Sequence, residues 1–216
     1  MTLNNKINVT LICNSVAIIL LAITSFLHSY RFHSDKDIVQ NSNYVQDLYI
    51  QKMTLSYYSC KERLVESLDA YIEEIAPHSA MNSLTFVNYC EEYDIDVFFV
   101  LSQCQIESKF ATVGLGSKTY SAFNIKAYDG KGDKYMDKYK HPDLSIEPYI
   151  KVLKDTYLVD GVTEFNLMDN YVNINGQRYA SDEQYETKLR SVYEKLLTKY
   201  EPIYNEYKKY KLLSGK

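Results

Sequence analysis

The sequence predicts a mainly α-helical protein with one membrane-spanning segment near its amino terminus, and three observations carry that expectation. Helix breakers are scarce, with 7 Gly and 4 Pro among 216 residues, which favours long helices joined by short connections. Apolar residues recur at helical spacing, as in Leu64, Leu68, Ile72 and Ile75 ahead of Pro77. Short polar residues also stand where helices would begin, at Asn82 or Ser83 and at Asp94 or Asp96.

From Val9 to Leu27 the run VTLICNSVAIILLAITSFL carries no charge and approaches the roughly 20 residues that cross a bilayer as helix. An Ala-x-Ala-like cleavage site is hard to find after Leu27, so the segment reads as an uncleaved anchor over residues 9–29 behind a short tail, 1–8. Lys6 on one side, with Arg31 and Lys36 on the other, leaves the charge rule nearly silent on orientation. Residues 30–80 then read as linker and amphipathic helix: HSDKDIVQNSN at 33–43 is the linker, and about 45–76 the helix.

A second helix is expected from the Asn82 or Ser83 cap to about Tyr93, and a third through VFFVLSQCQIES. The polar, Gly-containing stretch Thr112 to Lys140 predicts a small loop or hairpin lobe. Further helices follow at about 143–158, 162–170 and 182–200. Pro202 is expected to break or kink the last of them before a lysine- and tyrosine-rich tail.

Composition excludes several functions. With 24 basic and 28 acidic residues the formal charge is −4, without the basic excess that phosphate neutralisation needs, so nucleic acid is not an expected partner. Cys13, Cys60, Cys90 and Cys104 show no metal-ligand spacing and the four His are scattered, so neither a metal nor a cofactor is expected. A single Cys90–Cys104 bridge remains an option for the body of the protein. Tyrosine is abundant, at 22 residues with no Trp. Half-buried helix positions with wet hydroxyls account for that excess, and so does a sugar-binding surface; composition does not choose between them.

Within the third helix Val100, Cys104 and Glu107 fall on one face, so a carboxylate continues an apolar stripe. Partial burial and a helix C-terminus both disfavour its charge and raise its pKa. A glutamate held protonated near neutrality can donate to a leaving oxygen.

Three segments in order, YCEEYDIDVFFVLSQCQIESKF, TYSAFNIKAYDG and GQRYASDEQYETKL, resemble the glucosaminidase domains of glycoside hydrolase family 73, within the lysozyme-like superfamily. The resemblance spans roughly residues 81–200 and implies a lysozyme-like helical domain at 81–216. It further implies hydrolysis of the β-1,4 bond after N-acetylglucosamine in peptidoglycan, with Glu107 as general acid and Tyr179 of Tyr179–Ala180–Ser181 supporting the reacting sugar or water. Ser108, Tyr120, Phe123 and Asn124 are the implied substrate contacts. The sequence departs from the family at Ala111 and Asn124, where glycine is expected. The partners implied are a peptidoglycan glycan strand and, through 9–29, the cytoplasmic membrane, with the catalytic domain facing the wall or periplasm.

A second carboxylate, which glycosidases commonly need, is unassigned. Asp129, Asp133 and Asp137 are candidates, interleaved with lysines as in a solvated loop. A lytic transglycosylase is similar in the Glu-Ser-x-Phe stretch of Glu107 to Phe110, but the Gly-Leu-Met-Gln-like segment that usually follows in those enzymes is missing here, while the Tyr-Ala-Ser motif expected of glucosaminidases is present. A membrane-tethered binding protein without turnover is the alternative outside enzymes.

Overall fold

The computed structural model describes residues 35–127, 130–169, 172, 180 and 182–216, with side chains from residue 44 onward. Helix α1 spans Asp35–Ile75, α2 Ser83–Glu92, α3 Val97–Ser108 and α4 Gly116–Thr119. A 3-10 turn at Pro142–Ser145 leads into α5, Ile146–Val152, which ends in a π turn at Leu153–Tyr157. Helices α6, Glu164–Leu167, and α7, Tyr185–Ser214, complete the order. No strand forms among the described residues, so the polar lobe is a loop with a short helix rather than a hairpin.

The chain divides into two compact units, Met1–Lys52 and Met53–Lys216. The described part of the first is the opening of α1, where Tyr44, Val45, Leu48, Tyr49 and Ile50 are exposed. Here the structure corrects the linker expectation, because residues 35–43 are already helical. That stretch has neither Gly nor Pro, and extending a helix costs far less than nucleating one. The expected span at 9–29 lies outside the described residues; among those described, no helix is long and apolar enough to cross a membrane.

In the second unit α3 forms the axis. Its residues Val97 through Cys104 are buried without interruption, and α7, α2 and α4 pack against it. Leu64 and Leu68 of α1, Phe86 of α2 and Ile146 and Ile150 of α5 close the core. Both expected caps are present. Asn82 accepts from Thr85 N at 3.0 Å, and Asp96 Oδ1 accepts from Phe98 N and Phe99 N at 2.8 and 3.3 Å, satisfying amides that a helix start leaves orphaned.

The buried face of α7 reads Tyr185, Leu189, Tyr193, Leu196, Tyr200, Tyr204, Tyr207, a helical stripe made mostly of tyrosine. Packing therefore accounts for these tyrosines: rings enter the core, and hydroxyls reach polar groups, as Tyr193 does at Asp96 Oδ2, 3.4 Å away. Pro202 does not break α7, which continues through it to Ser214. An interior proline costs about 3 kcal/mol. Beyond it, the buried rings of Tyr204 and Tyr207 offset that cost, Tyr204 lying 4.5 Å from Phe98 between ring centres.

The Cys90–Cys104 bridge does not form. Cys60, Cys90 and Cys104 are free and buried, and Cys104 Sγ turns instead to Met81 Sδ at 3.6 Å.

One carboxylate joins three helices of this unit. Glu91 on α2 accepts from Tyr57 Oη at 2.6 Å, from Lys61 and from Tyr207, bringing α1 and α7 together. Burial opposes its charge, yet these bonds together hold its pKa below the ordinary value. A depressed folded pKa contributes stability above the unfolded value of about 4.3 and loses it as pH falls through the folded value. Glu91→Ala is expected to destabilise the protein by about 2–4 kcal/mol near neutrality. Urea unfolding at about pH 7 and about pH 3 should show the gap between variant and wild type narrowing at acid pH.

Candidate active site

The C-terminal turn of α3 carries Glu107, and the sequence that follows holds it at the rim of the core. Lys109 adopts a left-handed cap, with its N–H on Gln105 O at 3.0 Å. Phe110 and Ala111 also take positive φ, 54° and 60°. Such conformations cost about 1–2 kcal/mol for each residue with a Cβ. Burial of Phe110 offsets this: its ring is fully enclosed, edge-on to Tyr71 and Phe86, and Ser79 Oγ donates to its carbonyl at 2.8 Å.

Ser108 ties the end of α3 to the polar lobe. Its hydroxyl donates to Ala122 O at 2.6 Å and accepts from Ala111 N at 2.8 Å, while Ser145 Oγ accepts from Ala122 N at 3.1 Å. The turn so anchored presents Asn124, with φ 51°, directly to the glutamate. Asn124 Nδ2 donates to Glu107 Oε2 at 3.0 Å and to the Glu107 main-chain oxygen at 2.9 Å. From the other side Tyr185, the first residue of α7, donates its hydroxyl to Glu107 Oε1 at 2.8 Å.

Both carboxylate oxygens are thus engaged. Burial raises the Glu107 pKa, and the Asn124 and Tyr185 bonds pull against it without cancelling it. The result is a positioned carboxyl whose affinity for its proton is raised above that of an ordinary glutamate.

The residues singled out in the sequence take different places. Glu107 and Asn124 are in direct contact. Ser108 and Phe123, expected against substrate, lie in the interior instead. Ser108 is fully buried and committed to Ala122, and Phe123 stacks on Tyr149 at 3.9 Å with the rings 3° from parallel. Tyr120 stands 43 % exposed on the lobe, whereas Tyr179, Ser181 and Asp129 lie outside the described residues. Asp133 and Asp137 are held in surface ion pairs with Lys138 and Lys126, as in a solvated loop.

Sequence reasoning missed Tyr185. Its signal was present, since it opens the apolar stripe of α7 within the third family-like segment, but the hydroxyl's destination depends on how α7 lies along α3. Ala111 and Asn124, the two departures from the family pattern, both occupy left-handed backbone, where glycine is the default residue. Among the described residues no group of three or more His, Cys, Asp or Glu could hold a metal ion.

A carboxyl held by an amide and a phenol on a helical scaffold is compatible with a glycoside hydrolase, and the family match makes this chain one. Residues 83–198, more than half of its length, match the Glucosaminidase family, mannosyl-glycoprotein endo-beta-N-acetylglucosaminidase, and the chain belongs to that family. Among solved structures it is similar to the catalytic domain of the autolysin Auto from Listeria monocytogenes. The two are 19 % identical with a TM-score of 0.38, over 68 % of this chain and 87 % of that one. No curated protein matches it.

The clamp at Ser108 depends on Gly116, where an added Cβ would fall 2.6 Å from Ser108 Cβ and 3.2 Å from Ser121 O. Gly116→Ala should therefore destabilise the fold by about 1–3 kcal/mol and lower activity with it, read as paired losses in thermal midpoint and in turnover.

Proposed function

We propose that this enzyme hydrolyses the β-1,4 bond after N-acetylglucosamine in bacterial peptidoglycan, with Glu107 as general acid. The observation that carries this reading is the Glu107 carboxyl, bonded through both oxygens and with its pKa raised by burial. Family membership over residues 83–198 supports the bond type. The ordered segments ending in Glu107–Ser108 and Tyr179–Ala180–Ser181 support the cell-wall substrate. Glycosidic oxygen is a poor leaving group until protonated, so an acid placed against it supplies the step that water cannot.

Tyr179 and Tyr120 remain the side chains we assign toward substrate, Tyr179 as a support for the reacting sugar or water. In cellular terms the uncharged run Val9–Leu27 supports a single-pass anchor over residues 9–29. Such an anchor holds the catalytic domain, residues 81–216, against the wall or periplasm.

The test is digestion of purified peptidoglycan by the full chain and by Glu107→Gln. The expected outcome is release of N-acetylglucosamine reducing ends by the wild type, with a loss of about 10²–10⁴-fold in the variant. Ends in 1,6-anhydro form would instead identify a lytic transglycosylase. Binding without cleavage by either protein would identify a tethered binding module, and cleavage of a glycoprotein N-glycan core alone would move the substrate away from the wall. Activity should also fall as pH rises through the elevated pKa of Glu107, because only the protonated form donates.

A further inference from the structure

Helix α1 is one element of 41 residues without Gly or Pro, and over its middle it carries two apolar faces. One packs into the core, where Met53, Tyr57, Cys60, Leu64 and Leu68 are buried. The other meets nothing. Tyr44, Leu48, Leu55 and Tyr58 range from 47 % exposed at Leu48 to 65 % at Leu55, and Gln51 among them is exposed as well. At about 100° per residue these five fall within a strip about 80° wide, roughly opposite the buried face. Their successive spacings of 4, 3, 4 and 3 are the d-a-d-a-d of a heptad repeat, the pattern that one helix presents to another.

The flanks of the strip say which helix fits. With Tyr44 at d, Asp47 takes a g position and Lys52 an e position, both exposed. When two parallel copies stand in register, g of one helix meets the following e of the other. Asp47 then faces Lys52 of the second copy, and the two-fold symmetry repeats the pair. In an antiparallel pair g meets g and e meets e, so these charges do not meet. A lipid surface favours cations beside the apolar face, whereas here Asp47 stands on one side of it.

We propose that this strip is a self-association surface, through which two copies of the chain pair over residues 44–58 as a parallel, in-register, two-stranded coil. The apolar seam supplies the attraction, and the reciprocal Asp47–Lys52 pairs set the orientation. Gln51 sets the register, because only at equal height does it meet a second Gln51 rather than an apolar side chain. Two heptads are short for a coil that must also nucleate its helices. Here the helix is already formed, held by the packing that begins at Met53. The anchor proposed over residues 9–29 would hold two copies in this same parallel sense.

The test uses the full chain in detergent micelles, with sedimentation equilibrium reading its mass. Wild type is expected to form a dimer that dissociates on dilution. Asp47→Lys and Lys52→Asp each set like charges across the seam twice, and each should weaken the dimer about tenfold. Combined, they restore opposite pairs, so the double variant should return to within about threefold of wild type. Oxidative cross-linking checks the face: in a Cys13→Ser background, Leu55→Cys should join to its own copy. Tyr49→Cys, also exposed but about 120° round the helix, should not. Every substituted side chain on α1 is exposed, so the thermal midpoint should stay within a few degrees of wild type. A monomeric wild type overturns the proposal, and a strip that enters lipid instead would give that result. A dimer that the charge variants leave unmoved overturns it too, as does cross-linking through Tyr49→Cys as readily as through Leu55→Cys. None of these readouts involves cleavage of peptidoglycan, so they stand or fall apart from the role of Glu107.

Discussion

The unbroken burial of α3 from Val97 to Cys104 is the constraint on which the rest of this structure depends. A stretch so enclosed cannot send its polar side chains to water, and a buried polar group left unpaired costs about 1–3 kcal/mol. Ser102 turns back to Phe98 O of its own helix, and the other polar side chains are met largely from neighbouring elements. Asp96 takes two amides of its own first turn and the Tyr193 hydroxyl. Gln103 accepts from Tyr149, and Gln105 from Tyr71. Glu107 takes Tyr185 and Asn124. The tyrosine content is the consequence: a phenol supplies apolar area to the core and one hydrogen bond at its far end, the combination a wholly buried helix requires of its neighbours. Burial also shifts the phenols themselves, with Tyr71 pushed up to about 12.

The same constraint acts on the two carboxylates at the ends of α3. Burial is the largest influence on Asp96 and raises its pKa, while the Phe98 and Phe99 amides oppose that. Glu107, at the opposite end, has no such amides; burial is the largest influence on it too, and the Asn124 and Tyr185 donors oppose it. The strained backbone from Lys109 to Ala111 belongs to this arrangement, because it turns the chain sharply enough for the Ser108 clamp to bring Asn124 back onto the glutamate. Asn124 at a glycine-like position adds a donor to Glu107 that glycine could not supply.

Much of this was legible in the sequence and some was not, for physical reasons. Caps at Asn82 and Asp96 were readable because capping is local chemistry. The position of Glu107 near the end of a helix, on the stripe of Val100 and Cys104, was readable from the helical period. Pro202 misled because its local cost was overruled by the distant packing of Tyr204 and Tyr207. Ser108 and Phe123 were read as substrate contacts because their motif lies beside the acid, yet proximity along the chain does not say which side of the backbone faces the cleft. Tyr185 escaped because its role depends on the contact between α3 and α7, some 78 residues apart. Glu186, nearly fully buried beside it on the first turn of α7, escaped for the same reason.

The central claim is that Glu107, its pKa raised by burial, is the proton donor we propose, and titration of its carboxyl in the folded chain, set against cleavage of peptidoglycan over the same pH range, tests it most directly. The account predicts a pKa above the ordinary glutamate value of about 4.3, with activity declining along that same curve as the proton is lost. A carboxyl titrating at or below the ordinary value, or activity indifferent to its titration, would contradict it.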